Sequence, residues 1–191
     1  MDEPERLNIE MQDFLNPRRY QAKGEFDGPI YFQELGNESP TLVKLIMKTI
    51  WQNDKQEIKH IGSKKFRTQF HLRGLYTHNG LLYFHTSIKN QNQIPYNIDF
   101  ITFKVVDKKV AKRTAIQEQI LQPLRTYNDV IRVGGNHTQR SVFVMNQFSL
   151  PDDKVLEVTL FEQNGGRHLT IILENEDIVR AKNIENLKLK I

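Results

Sequence analysis

Six histidines are the residues of this chain with the most chemistry to offer, because imidazole binds metals and transfers protons near neutral pH. His71 and His85 fall on one outward face of a predicted hairpin, whose three-residue loop, His78-Asn79-Gly80, makes them diagonal neighbours. The same loop sets His71 opposite Ser87 and Arg73 opposite His85. Because arginine repels a cation and no carboxylate shares this face, the sequence predicts neither a metal site nor a cofactor.

Sequence motifs for nucleophilic catalysis and for phosphate binding are also missing. There is no cysteine and no Gly-x-Ser-x-Gly, so no nucleophile has a diagnostic neighbour. Gly134-Gly135 and Gly165-Gly166 lack the lysine and the following helix of a phosphate-binding loop. The sequence therefore predicts a protein that is not an enzyme, and it indicates no catalytic residue.

A cluster of basic residues around one predicted turn is the candidate interaction surface. Its members are Lys104, Lys108, Lys109, Lys112 and Arg113. No aromatic side chain is interleaved with them, so stacking on nucleic-acid bases is not provided for. Two interpretations stay open: the turn contacts DNA or a protein partner, or it is a solvated tip whose charge keeps a sheet edge from pairing.

Length and composition describe a globular chain of one domain or one domain with an arm. The chain has 191 residues, 38% of them hydrophobic and 26% charged, with a formal net charge of +4. The mild positive charge permits weak contact with nucleic acid. No apolar run of about 18 residues exists to cross a membrane. The first ten residues, MDEPERLNIE, are acidic and polar, unlike a signal peptide.

One helix precedes the strands. Residues 39–53 place Leu42, Leu45, Ile46 and Ile50 on one helical face, with Ser39 as the N-cap and Pro40 in the first turn. This pattern predicts a helix that docks on a sheet. A helix that binds a membrane surface or a partner is the alternative.

From Phe66 onward the apolar period is two, which indicates half-buried strands. Phe66, Phe70, Leu72 and Tyr76 are assigned to one face of the first long strand. Ile101, Phe103 and Val105 alternate in the same way in a later strand. With turn signals every 8–12 residues or so, the pattern predicts a mainly β fold: an immunoglobulin-like antiparallel β-sandwich of about seven to eight strands with an N-terminal arm and one helix.

The sequence suggests three segments. Residues 1–56 are an N-terminal arm and helix, the tail of an upstream domain or a linker. Residues 57–175 are the β-sandwich domain. Residues 176–191 are a short helix, capped by Asn175, and a tail.

Several stretches together carry a family resemblance. They are LRGLYTHNGLLYFHTSIKNQNQIPYNIDFITFKVVDKKVAKRTAIQEQ at 72–119, PL at 123–124, FSLPDDK at 148–154, FEQNGGRH at 161–168 and ENEDIVRAK at 174–182. In their order and spacing they resemble the C-terminal part of the TraN family of Bacteroides-type conjugative transposons, over residues 57 to 185.

The resemblance implies a non-enzymatic structural subunit of a conjugative DNA-transfer apparatus, a type IV secretion system. Family members carry a signal peptide and work in the periplasm at the outer-membrane complex. The implied partners are other proteins of the apparatus, among them an outer-membrane lipoprotein, within a larger oligomer. This chain departs from the family at its N-terminus, where the signal peptide is not found.

Two other functions are compatible with the residues. The first is a DNA-binding module of the transfer machinery that uses the basic hairpin at 104–113, with weak DNA contact. The second is a carbohydrate- or peptidoglycan-binding β-sandwich, for which the outward Tyr83 is the only aromatic candidate.

Overall fold

A computed structural model describes Leu35 and residues 38–53, 55–108 and 118–186 of the chain. These residues form two β-sheets packed as a sandwich and an N-terminal helix. The predicted mainly β fold, an antiparallel sandwich with one helix ahead of it, is confirmed. The predicted arm and most of the return segment after Lys108 lie outside the described residues.

The elements are numbered in chain order. They are α1 (Pro40–Gln52), β1 (Gly62–Lys65), β2 (Thr68–His78), β3 (Leu81–Asn90), β4 (Tyr96–Asp107), β5 (Gln119–Leu121), β6 (Arg125–Tyr127), β7 (Arg132–Val133), β8 (His137–Asn146), β9 (Lys154–Glu162), β10 (Leu169–Leu173), α2 (Asn175–Val179), β11 (Lys182–Asn183) and a 3-10 turn, Ile184–Asn186.

Strand pairing divides these elements into two sheets. The first sheet has six strands in the order β1-β2-β3-β8-β6, with β11 parallel to β2. The second sheet has five strands in the order β10-β9-β4-β5, with β7 also pairing with β4. The strands beyond the predicted seven to eight are short: β5 and β6 have three residues each, and β7 and β11 two.

Aromatic rings from both sheets meet in the core of the sandwich. Phe103 of β4 lies edge to face against Phe84 of β3 and Phe143 of β8, with ring centroids 5.8 and 5.3 Å apart. All three rings are buried. The predicted inward position of Phe103 is therefore confirmed.

A second core lies on the opposite face of the first sheet, under helix α1. The helix buries Val43, Ile46, Met47 and Ile50. They belong to one apolar cluster with Tyr83, Val142 and Val144 of the sheet. The predicted docking of this helix on a sheet is confirmed.

The predicted buried face of α1 is wrong for two of its four residues. Leu42 and Leu45 are exposed, and Val43 and Met47 are buried instead. Both sets fit a period of 3.6, so only the docking against the sheet selects between them. Ser39 holds the N-cap position, although its side chain makes no capping hydrogen bond.

The hairpin between β2 and β3 corrects the predicted three-residue loop. His78 pairs with Leu81, so the turn has two residues, Asn79 and Gly80, with φ of 43° and 75°. Such positive φ values are what a type I′ turn requires, and Asn-Gly is its preferred sequence.

A two-residue turn alone would put apolar residues of β2 opposite polar residues of β3. A β-bulge in β2 restores the match between the apolar faces of the two strands. The register shifts between Leu72, which pairs with Thr86, and Gly74, which pairs with His85. Arg73 is therefore the bulged residue, and the prediction that it lies opposite His85 is wrong. The prediction that His71 lies opposite Ser87 is confirmed.

After the bulge, each residue of β2 points to the opposite side of the sheet from the one that simple alternation predicts. Leu75 enters the sandwich core, and Tyr76 belongs to the cluster under α1. The prediction that Tyr76 shares a face with Phe70 and Leu72 is therefore wrong.

The cap of helix α2 also differs from the prediction. Glu174 is the N-cap, and it forms a capping box with Asp177. The Asn175 side chain instead accepts a hydrogen bond from the Leu150 N–H at 3.0 Å. Asn175 therefore ties α2 to the loop before β9.

Phe103→Ala tests the aromatic centre of the sandwich. We expect a loss of about 3–5 kcal/mol in the free energy of unfolding, measured by urea denaturation, because the substitution leaves a cavity between the sheets. Phe100→Ala on the outer face of β4 is the matched control and should cost less than about 1 kcal/mol. Similar costs for the two variants would contradict the assigned faces.

Candidate interaction surfaces

The basic cluster predicted from the sequence is only partly described. Lys104 lies on the outer face of the second sheet, with its Nζ 2.9 Å from the Glu118 carboxylate. Lys108 lies 3.1 Å from the Glu174 carboxylate. The other members, Lys109, Lys112 and Arg113, fall outside the described residues. The two described lysines are thus paired with carboxylates, which lowers the net charge they offer to DNA.

The outer face of the second sheet carries an exposed aromatic stack. The Phe100 and Phe161 rings stack with centroids 4.6 Å apart and an interplanar angle of 29°. The His168 ring lies 4.9 Å from Phe161, tilted by 52°. Phe100 is 46% exposed and Ile172, on the neighbouring edge strand, is 55% exposed. Ile120 of β5 is exposed as well.

A row of threonines crosses the middle of this face. Thr102 pairs with Thr159, which in turn pairs with Thr170. The Thr159 and Thr170 hydroxyls lie 2.9 Å apart and share a hydrogen bond. In the next row, Glu157 of β9 lies between Lys104 and Ile172. We call this whole surface, with its exposed apolar side chains and central hydroxyls, the outer β4-β9-β10 face.

An ion pair beside the aromatic stack holds the β9–β10 turn in place. The Arg167 guanidinium binds the Glu162 carboxylate and donates to the Pro95 carbonyl at 3.0 Å. It also lies over the buried Tyr96 ring, 5.1 Å from its centroid. Hydrogen bonding from Arg167 holds the pKa of the Glu162 carboxyl below its usual range.

A second exposed feature is the turn between β1 and β2. Lys65 pairs with Thr68, so Phe66 and Arg67 form a two-residue turn, with φ of 51° and 55°. The Asn92 side chain donates to the Phe66 carbonyl at 2.8 Å. The Phe66 ring is 58% exposed. Its predicted place on the face shared with Phe70 is therefore wrong.

Sequence reasoning missed this turn because neither residue is a usual turn former. A bulky residue with positive φ is a genuine outlier. The equivalent turn between β2 and β3 uses Asn79 and Gly80 in the same conformation. The available signal was the polar run Lys64-Lys65 just before Phe66, which marks the end of a strand.

The strands of the first sheet contain no acidic residue. No aspartate or glutamate occurs between Glu57 and Asp99, or between Asp129 and Asp152. The sheet topology brings strands from both intervals together as β1, β2, β3 and β8. The strands of this sheet therefore supply basic side chains but no acidic ones.

The two histidines considered as metal ligands are held by packing. The His71 ring lies against Gly62, where an added Cβ would stand 2.1 Å from Nδ1. Burial, and then the charge of Arg73, lowers the pKa of His71. His85 is buried. No group of three His, Asp or Glu side chains within the described ranges is arranged to hold a metal ion.

Tyr83, the aromatic candidate for carbohydrate binding, is buried beneath helix α1. Burial raises the pKa of its hydroxyl, and it raises that of the neighbouring Tyr76 to about 12. The Tyr83 ring therefore offers no surface to a sugar. Among the described phenylalanine, tyrosine and tryptophan side chains, the exposed rings are Phe100 and Phe66.

The fold and these surfaces describe a β-sandwich domain with a helix on the outside of one sheet. The chain belongs to the DUF4138 family, described as a domain of unknown function, whose model matches residues 40–183. The match begins at the first residue of α1 and ends with β11. A comparison with curated proteins finds no match.

Within the part of the chain that the structure describes, no helix combines the length and the hydropathy needed to cross a bilayer.

Glu162→Gln tests the ion pair at the β9–β10 turn. The folded-state pKa of Glu162 is lowered, so its contribution is complete above the unfolded-state pKa of about 4.3 and is lost as pH falls through the folded value. We expect the variant to lose about 1.5–3 kcal/mol at pH 7. The difference from wild type should shrink toward acid pH in urea titrations. A difference that stays constant down to about pH 3 would contradict this assignment.

Phe66→Asn combined with Arg67→Gly tests the strain of the β1–β2 turn. This change installs the Asn-Gly sequence of the other hairpin, and we expect the free energy of unfolding to rise by about 1 kcal/mol. Gly80→Ala is the control, because an added Cβ at that glycine meets no neighbour. It should cost about 1 kcal/mol through its positive φ alone. A loss of stability in the double variant would show that the turn is unstrained.

Proposed function

We propose that this protein is a non-enzymatic structural subunit of a conjugative DNA-transfer apparatus, a type IV secretion system, which acts by protein–protein assembly in the cell envelope. The proposal rests on the resemblance of residues 57–185 to the TraN family of conjugative transposons. It places the protein in the periplasm, at the outer-membrane complex. Its partners are other proteins of the apparatus, among them an outer-membrane lipoprotein, in a larger oligomer.

The observation that carries the proposal is the exposed aromatic stack on the outer β4-β9-β10 face. Its rings come from two of the stretches that carry the family resemblance: Phe100 from residues 72–119, and Phe161 and His168 from residues 161–168. Two of the stretches that carry the resemblance therefore supply the rings of this exposed stack.

The chemistry of this face suits a protein partner. Aromatic and aliphatic side chains provide the apolar centre that stable interfaces bury. The hydroxyls of Thr102 and Thr170 and the charges of Lys104 and Glu157 provide polar groups beside it. Exposed apolar residues grouped on one face commonly mark interaction sites in soluble domains.

The ion pair of Glu162 with Arg167 gives this surface rigidity. It holds the β9–β10 turn against Pro95 at the start of β4, on the strands that carry Phe100 and Phe161. A surface held in one conformation loses less conformational entropy on binding, so more of the contact energy remains for affinity.

Ile172→Lys tests this surface in the assembled apparatus. We expect recovery of apparatus proteins with the tagged chain to fall about tenfold or more, because a lysine places a charge in the buried part of an interface. Photo-cross-linking from position 172 should give a discrete adduct with an apparatus protein.

Val179→Lys is the matched control, since Val179 is an exposed apolar residue on α2 and not on a strand of this face. It should leave recovery unchanged. Equal recovery with both variants, or no apparatus protein recovered with the wild-type chain, would contradict the proposal.

A further inference from the structure

Two exposed apolar residues lie on neighbouring loops at one end of the first sheet. Phe66, at the tip of the β1–β2 turn, is 58% exposed, and Ile94, in the β3–β4 loop, is 70% exposed. Asn92 joins the two loops, donating to the Phe66 carbonyl at 2.8 Å and to the Thr68 hydroxyl at 3.2 Å. Asn90, which is buried, donates to the Ile94 carbonyl at 2.8 Å.

The turn that presents Phe66 is maintained against its own conformational preference. Residues other than glycine are strained when the backbone holds them at positive φ. The Gln91 N–H donates to the Arg67 carbonyl at 2.9 Å and so adds a further tie to the β3–β4 loop. The fold thus holds an exposed aromatic ring at a tip where asparagine or glycine would be less strained.

Four exposed cations lie on or next to the β1–β2 turn that carries Phe66. Lys64 and Lys89 lie on either side of Gln69, on the outer face of the first sheet. Lys65 and Arg67 flank Phe66 directly, and all four cations are exposed. None of the four forms an ion pair with any residue whose position is described.

The strands of the first sheet supply no acidic side chain to this end. The nearest in sequence are Glu57, which is paired with Lys55 and Lys182, and Asp99 of the second sheet. Since the strands of the first sheet contain no acid, these four side chains carry one sign of charge, and within the described residues no carboxylate pairs with them.

We propose that this end of the sandwich, Phe66 and Ile94 with the collar of Lys64, Lys65, Arg67 and Lys89, docks on the surface of an anionic phospholipid bilayer. The two apolar side chains enter the interface between headgroups and acyl chains. The four cations contact the lipid phosphates around them. Charge complementarity and apolar burial then act at one place, as they do in peripheral membrane binding.

The arrangement favours a bilayer over a nucleic-acid strand. A nucleic acid would use stacking platforms along a groove, but only one of the two protruding side chains is aromatic. An aliphatic tip such as Ile94 gains nothing by stacking and gains free energy by leaving water. In a bilayer, the anionic headgroups lie above an apolar layer. Apolar side chains at a tip can enter the apolar layer while cations next to the tip contact the headgroups. This inference does not depend on the proposed role in DNA transfer.

The test is flotation of the full chain with phosphatidylglycerol vesicles and with phosphatidylcholine vesicles. We expect binding to the anionic vesicles only, weakening as salt is raised. Lys64→Gln with Lys65→Gln should reduce partitioning about tenfold or more. Phe66→Asn should also reduce it about tenfold, and it should not destabilise the chain because asparagine tolerates positive φ.

Two control variants separate this site from the rest of the surface. Lys44→Gln with Lys48→Gln removes two exposed lysines from α1, and Val179→Asn removes an exposed apolar side chain from α2. Both should float as the wild type does. Equal flotation with the two lipids, equal losses in the controls, or binding of a single-stranded oligonucleotide without vesicle binding would each overturn the proposal.

Discussion

Burial of the first sheet on both faces is the constraint on which the rest of the structure depends. Every residue of β3 except Lys89 is buried, because the sandwich core lies on one face and α1 covers the other. Both faces of such a strand are buried. A shift of one residue in register would therefore move apolar side chains out of both cores at once. Together, the Asn79-Gly80 turn and the bulge at Arg73 set the register in which the apolar side chains of β2 and β3 stay buried.

The same constraint decides where charge and exposed apolar surface are found. In the first sheet, Lys64 and Lys89 lie near the β1–β2 turn, on either side of Gln69. No element among the described residues covers the outer face of the second sheet, which carries the exposed side chains of Phe100 and Ile172. The two candidate surfaces are therefore on different sheets and differ in chemistry, one of them basic with apolar tips and the other apolar with hydroxyls.

Much of the fold could be predicted from the sequence, because the patterns involved are local. Alternation predicted the inward position of Phe103, and the helical period of residues 39–53 predicted a helix that docks on a sheet. The candidate site was harder to predict from the sequence. The sequence predicts a basic cluster that includes Lys104 and Lys108, but Glu118 and Glu174 lie beside these two lysines in space. Ion pairing across 14 or 66 residues leaves no trace in a local pattern.

By itself the sequence determined the class of the fold, the docking of one helix on a sheet, and the direction in which most strand residues point. These follow from periodicity and turn chemistry, which act over a few residues. Only the tertiary structure decided which stripe of α1 is buried, how β2 and β3 are registered, and which aromatic rings reach the surface. Tyr83 and Phe100 both alternate outward, but α1 covers the first and no described element covers the second. Whether a side chain is buried depends on what packs above it, and that is a property of the assembled chain.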